Sequence, residues 1–134
     1  MDTPNPLSIL PQVNALQVDQ IEAVEVGPGC TRRTLPGNPG VRAWLVEMAP
    51  GSQWPHADHH DTGQMFYVLS GEVIEDDGAL HGPGTWVWFA PDTRHRPRSE
   101  TGVRLLGMNV AQAGFIASGG SPDALLHSYH PTQG

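Results

Sequence analysis

The segment His56-Ala-Asp-His-His-Asp-Thr-Gly-Gln64 places three of the chain's seven histidines within five positions and ends on a glutamine. A fourth histidine, His95, follows the turn Pro91-Asp92-Thr93. Neutral imidazole is the commonest metal ligand, and it suits Zn, Fe, Ni, Cu and Mn to different degrees. Two histidines from one strand, a residue from its hairpin partner and a histidine from a distant strand can converge inside a barrel, because each strand offers inward side chains at every second position. Such a set leaves coordination positions open for water, substrate or dioxygen, as a catalytic metal needs. The candidate ligands are His56, His59, His60, Gln64 and His95, around one divalent transition metal: Fe, Zn, Ni or Mn. The competing reading is a polar surface turn that is rich in histidine. His81, His127 and His130 are singletons and read as structural or exposed.

Other side chains are weaker candidates. Tyr67 is a possible acid or base in a metal pocket, set against a buried strand tyrosine with its hydroxyl tied to a neighbour. Trp86 and Trp88 share one face of the stretch TWVWF and line either the substrate pocket or a dimer contact. The basic run Arg94-His95-Arg96-Pro97-Arg98 reads as a solvated loop rim or as an anion clamp, in which Arg96 or Arg98 holds a substrate anion at the mouth. Glu75-Asp76-Asp77 reads as a solvated turn. Cys30 is the only cysteine, so no internal disulfide forms and a cysteine-based zinc finger is excluded. There is no G-x-S-x-G elbow and no phosphate loop.

The elements that must position these residues are short strands. Gly and Pro, 16 and 13 of the 134 residues, punctuate the chain and leave no long amphipathic helix. The expected strands are 18–26, 41–48, 64–69, 72–75, 79–80, 85–89 and 103–110, with residues 27–40 a loop or hairpin. One helical turn is expected near 122–126. Seven or eight strands at spacings of roughly ten residues indicate an all-β sandwich or barrel.

At this point the residues resemble a known family. Gly51, His56, His59/His60, Gln64 and Gly71 are similar to the first cupin motif, and Gly84, Pro91 and His95 to the second. The stretch GEVIEDDGALHGPGTWVWFAPDTRHRPRSETG resembles the ChrR-like cupin domains. The resemblance covers roughly residues 41–110. It implies a double-stranded β-helix, the RmlC-like cupin jelly-roll barrel, in a single domain. Residues 1–40 form an N-terminal arm and first strands, 41–112 the barrel core and 113–134 a C-terminal tail. It also implies homodimers. The match departs from the pattern at H-x-H, which is absent in strict form. Pairing His56 with His59 or with His60 is preferred over an Asp58–His60 pair, and needs a bulge or bend, since a four-residue span runs some 13 Å when extended. Gln64 replaces the usual Glu. A neutral amide adds no charge and cannot act as a base, although the resemblance implies that some isomerases and cyclases use Gln there.

The expected function is a metal-dependent enzyme acting on a small organic substrate, with dioxygenase, isomerase, lyase and cyclase chemistry all open. The alternative is a non-catalytic metal- or ligand-binding sensory module. A formal net charge of −7 and the absence of lysine argue against nucleic-acid binding. No apolar run is long enough for a membrane helix. The N-terminus lacks the features of a signal peptide, so a cytoplasmic location is expected.

Overall fold

The computed structural model describes residues 13–59 and 63–110, with the backbone alone for Asp58, His59 and Val110. His60 and the expected tail at 113–134, with its helical turn, lie outside the described residues. Among the described residues twelve strands follow in order: β1 Val24–Gly27, β2 Cys30–Leu35, β3 Val41–Met48, β4 Ser52–Gln53, β5 Asp58–His59, β6 Gln64–Gly71, β7 Val73–Ile74, β8 Leu80–His81, β9 Trp86–Phe89, β10 Arg94–His95, β11 Arg98–Ser99 and β12 Val103–Val110. They form a six-stranded sheet in the order β1-β2-β3-β12-β6-β9, a four-stranded sheet β4-β11-β7-β8 and a two-stranded ribbon β10-β5. All pairs are antiparallel.

The core lies between the sheets. Met48, Phe66, Val68, Val103 and Leu105 from the large sheet meet Trp54 and Val73 from the opposite side, and Cys30 completes the cluster. Alternation explains the choice of residues. On β6, Phe66 and Val68 are buried while Tyr67 and Leu69 are exposed, as expected for a strand with one dry face. This is the all-β jelly roll anticipated above. The β6–β12 ladder ends where Gly71, at φ +75°, meets Gly102, and a Cβ at position 71 would collide with the Gly102 carbonyl oxygen. That close approach is the physical content of the motif glycine.

One expected element differs, and the loop or hairpin expected over 27–40 is a hairpin. The strand expected over 18–26 begins only at Val24, because Val18–Gln20 forms a 3₁₀ turn instead. Its backbone closes through Gln20 N to Gln17 O and Ile21 N to Val18 O, each 3.0 Å. Tertiary contacts hold the turn, since Arg104 Nη2 donates to Asp19 Oδ1 at 2.6 Å and Arg33 Nε donates to Ile21 O at 3.0 Å. The stretch 27–40 resolves into a hairpin whose second arm, β2, joins the large sheet beside β3.

Candidate metal centre

His95 and Gln64 come together at one end of the core. Gln64 opens β6, where Gly63, at φ +83°, brings the chain against β9; a Cβ at 63 would lie 2.8 Å from Phe89 O. Gln64 then pairs with Phe89 across the ladder. His95 arrives from the opposite side on β10 and is buried. Its Nε2 lies 2.8 Å from Gln64 Oε1, and the Phe89 ring stacks on the imidazole at 4.4 Å and 14°. The ring plane is thus held from its face and the Nε2 edge is aimed at the amide.

The other edge of His95 meets Glu75. Nδ1 lies 3.6 Å from Glu75 Oε2, with side-chain exposures of 7% and 10%. His95 Nδ1 and Glu75 Oε1 are both buried without a hydrogen-bond partner. Glu75 closes the turn through its backbone, Gly78 N–H donating to Glu75 O at 2.9 Å, but its side chain is buried rather than solvated, in contrast to the reading from its acidic neighbours. Asp76 and Asp77 are exposed as expected.

These contacts fit a metal ligand set. A neutral imidazole carries one N–H and can donate to only one of the two oxygens it faces. With that proton on Nδ1, toward Glu75, the Nε2 lone pair stands beside the oxygen lone pairs of Gln64. Two ligand atoms bound to one ion at about 2.1 Å and roughly at right angles are separated by about 3 Å, close to the spacing found. A carboxylate behind the far nitrogen is the usual partner of a metal-bound histidine.

The remaining candidates divide. His56 is half-buried in the bend after Trp54-Pro55, its ring 6.4 Å from that of Trp54 in edge-on contact. In the β5–β10 ribbon, Asp58 is the register partner of His95, and His59 is the partner of Arg94. The ladder thus sets position 58, rather than 59, across from the buried histidine. Among the described residues no three His, Cys, Asp or Glu side chains form a metal-binding group. Tyr67, Trp86 and Trp88 stand on the outer face, 39%, 45% and 69% exposed, while Val87 and Phe89 pack on the core. The structure places this aromatic set away from the pocket, on the side available for a contact. Arg96 is engaged structurally: Nε donates to Trp54 O at 2.9 Å and Nη2 to Pro55 O at 3.3 Å. Its own backbone N–H reaches Asp76 Oδ1 at 3.3 Å. Arg98 pairs with Glu100.

A cavity of about 40 Å³ lies beneath Gln64 and His95, walled by Val46, Met48, Trp54, Phe66 and Leu105 among others. Trp54 Nε1 is buried and unpartnered. Sequence reasoning missed Glu75, whose acidic neighbours mask it. The Phe89 stack was legible only as far as the alternation of TWVWF.

Comparison with known proteins identifies the family and the fold. The family described as the ChrR cupin-like domain matches residues 11–112. A proposed dimethylsulfoniopropionate lyase, DddL, of Cereibacter sphaeroides is 30% identical over 70 residues, covering 52% of this chain and 27% of the relative. The chain thus spans about a quarter of that relative's length. An RmlC-like cupin from Shewanella frigidimarina superposes with a TM-score of 0.61 at 25% identity, over 72% of this chain and 90% of that one. The complex of Rhodobacter sphaeroides SigE with the anti-sigma ChrR contains a similar fold, with a TM-score of 0.61 at 21% identity over 69% of this chain and 50% of that one.

Proposed function

The chain belongs to the ChrR cupin-like domain family, and from that premise we propose that it is a small metal-dependent enzyme acting on a small organic substrate at Gln64 and His95. The observation that carries the reading is the buried row Gln64–His95–Glu75, with 2.8 Å at one edge of the imidazole and 3.6 Å at the other. One divalent transition metal, Fe, Zn, Ni or Mn, would be held by His95 Nε2 and Gln64 Oε1. Further ligands would come from His56 and from the histidine segment 58–60. Bound there, such an ion supplies Lewis acidity toward a carbonyl or enolate oxygen.

The chain's own residues set the terms of that chemistry. Gln64 is neutral, so it adds no negative charge and takes no proton. Glu75, whose carboxylate lies 3.6 Å behind His95 Nδ1, would favour the tautomer that carries its proton on that nitrogen. Phe89 stacks on the imidazole, and apolar side chains wall the cavity beside the pair. The reaction class is a lyase, isomerase, cyclase or dioxygenase step, the first supported by the activity proposed for the Cereibacter relative.

A second reading is a non-catalytic sensory or regulatory cupin with the same site. The similarity of fold to the anti-sigma ChrR favours it. In either case the chain forms a homodimer, with Trp86 and Trp88 on the exposed face of the edge strand β9 as the contact.

The deciding experiment is the metal content of the purified protein and of His95→Ala by inductively coupled plasma mass spectrometry. The expected result is about one equivalent of a transition metal, lost in the variant. Absence of metal in both proteins, even after anaerobic loading with Fe(II), Mn, Ni and Zn, overturns the metal site. Iron points to oxygen chemistry; zinc or nickel points to isomerisation, elimination or a sensory role.

A further inference from the structure

Trp54 follows directly on β4 and is held in place by the chain next to His95. Its backbone N–H donates to Pro97 O at 2.9 Å, and its carbonyl accepts from Arg96 Nε at 2.9 Å. The two residues that follow His95 thus fix both backbone groups of Trp54. The residue is 5% exposed and belongs to the core cluster. It also forms part of the wall of the half-open cavity at Gln64 and His95, with Met48, Phe66 and Leu105. Its ring meets that of His56 edge-on at 6.4 Å. Trp54 therefore adjoins two of the histidines assigned above to the ion.

The polar groups of that wall are few. Among the described residues they are the Gln64 amide, the His95 imidazole and the Trp54 indole N–H; the other wall residues are apolar. Gln64 Oε1 and His95 Nε2 face each other at 2.8 Å. Trp54 Nε1 is buried and has no hydrogen-bond partner. An indole N–H can only donate, and a buried tryptophan usually finds an acceptor for it. Without one, the group loses its hydration and gains nothing in return. Phenylalanine would pack an aromatic ring here free of that cost. A pocket with apolar walls and a small number of polar groups is the usual form of a small-molecule site, where the polar groups fix the orientation of the ligand.

We infer that Trp54 donates its indole N–H to an oxygen of the substrate, and that this substrate carries a planar carbonyl or carboxylate group on an apolar body. The inference rests on the reading of Gln64 and His95 as the reaction site. No arginine or lysine stands among the described wall residues, so orientation falls to a directional neutral donor rather than to a fixed charge. The apolar body of the molecule packs against Met48, Phe66 and Leu105, and the indole N–H selects which end carries the oxygen. Trp54 is in this sense a binding residue that sets specificity.

The test follows the Trp54 indole N–H by ¹H–¹⁵N NMR in protein purified from zinc-supplemented medium, with the signal assigned by its loss in Trp54→Phe. Three probes of one shape are titrated: 2-butanone, propionate and 2-methyl-1-butene, which has no oxygen. The expected result is a saturable downfield shift of the indole proton with 2-butanone or propionate and none with the alkene. The stronger of the two oxygen probes separates a ketone-type from a carboxylate-type substrate. Trp54→Phe keeps an aromatic ring and removes the donor. It should weaken that probe about fivefold, the loss of one neutral hydrogen bond, with alkene binding, read from the Leu105 methyl signals, unchanged. The wild-type titration decides the matter by itself where the variant does not fold. An indole signal that neither oxygen probe moves overturns the inference, as does an equal shift with the alkene or undiminished affinity in folded Trp54→Phe. Metal content of the same samples separates the two readings. An indole shift in a protein that takes up no metal retains the donor and removes the metal centre. Metal uptake with an unmoved indole does the reverse.

Discussion

Glu75 Oε2 sits 3.6 Å behind His95 Nδ1, and the two side chains are among the most deeply buried ionisable groups described. A carboxylate is placed in the core only at considerable cost in hydration, so a partner must offset it. Here that partner is the ring whose far nitrogen faces Gln64. The arrangement predicts that Glu75→Gln, which keeps the size and removes the charge, weakens metal binding by about 10- to 100-fold while the fold persists. Competition with a fluorescent chelator measures this directly. Unchanged affinity means that Glu75 has no role in holding His95.

Arg96 predicts a different pattern. Its guanidinium bonds two consecutive carbonyls, Trp54 and Pro55, immediately before His56. Arg96→Ala removes two charge-assisted hydrogen bonds and should cost about 1–3 kcal/mol of stability in urea unfolding. It should also speed hydrogen exchange at the Trp54 amide, which donates to Pro97 O at 2.9 Å, by loosening the connection between the two segments. A substrate clamp, by contrast, would leave both readouts unmoved in the ligand-free protein.

The sequence signals that succeeded and failed did so for identifiable reasons. β3 and β12 were legible to the residue, 41–48 and 103–110, because eight-residue strands rich in branched apolar residues leave a strong local pattern. Two-residue ladders such as β5 and β10 leave none, since their pairing is set by the long strands around them. That His95 and Gln64 come together was legible through their motif spacing. Glu75 was not, because an acid followed by two aspartates and a glycine looks the same whether the first side chain turns in or out. The aromatics of β9 were assigned to one shared face, and alternation gave that correctly. Which face meets the core depends on the pairing of β9 with β6, a tertiary fact.

Gly71 and Gly78 form a matched test of close approach. Both have positive φ, +75° and +86°, but only position 71 is crowded; around 78 nothing lies within 4 Å of a built Cβ. Gly78→Ala should cost about 1 kcal/mol, the backbone strain alone. Gly71→Ala adds a collision with the Gly102 carbonyl oxygen at the closure of two eight-residue strands, and a loss of about 3 kcal/mol or more is expected. Urea unfolding of the two variants measures the gap. Equal losses mean that the β6–β12 closure relaxes freely.

Trp88, 69% exposed beside Trp86 on the outer face of β9, predicts an oligomeric effect without a chemical one. Trp88→Glu places a charge on that face, away from Gln64 and His95. It should convert a dimer to a monomer by size-exclusion chromatography with light scattering, with the metal content unchanged. A dimer that survives the substitution puts the interface elsewhere.

Cys30 carries the pH prediction. The thiol is fully buried in the core, and burial raises its pKa above the ordinary value of 9.0, with a hydrogen bond involving Ser52 acting in the opposite direction. Burial disfavours the charged thiolate in the folded chain. The unfolded chain therefore releases the proton at lower pH. It follows that the contribution of Cys30 to stability is complete below about pH 9 and declines as the pH rises toward the folded value. In Cys30→Ala that component of the alkaline slope should disappear, although the cavity left in the core lowers stability at every pH. The same burial predicts that iodoacetamide leaves the native protein unmodified at pH 8 and alkylates it in denaturant. Rapid native alkylation at pH 8, or an alkaline slope unchanged in the alanine variant, means that the thiol is neither sealed nor shifted by the core.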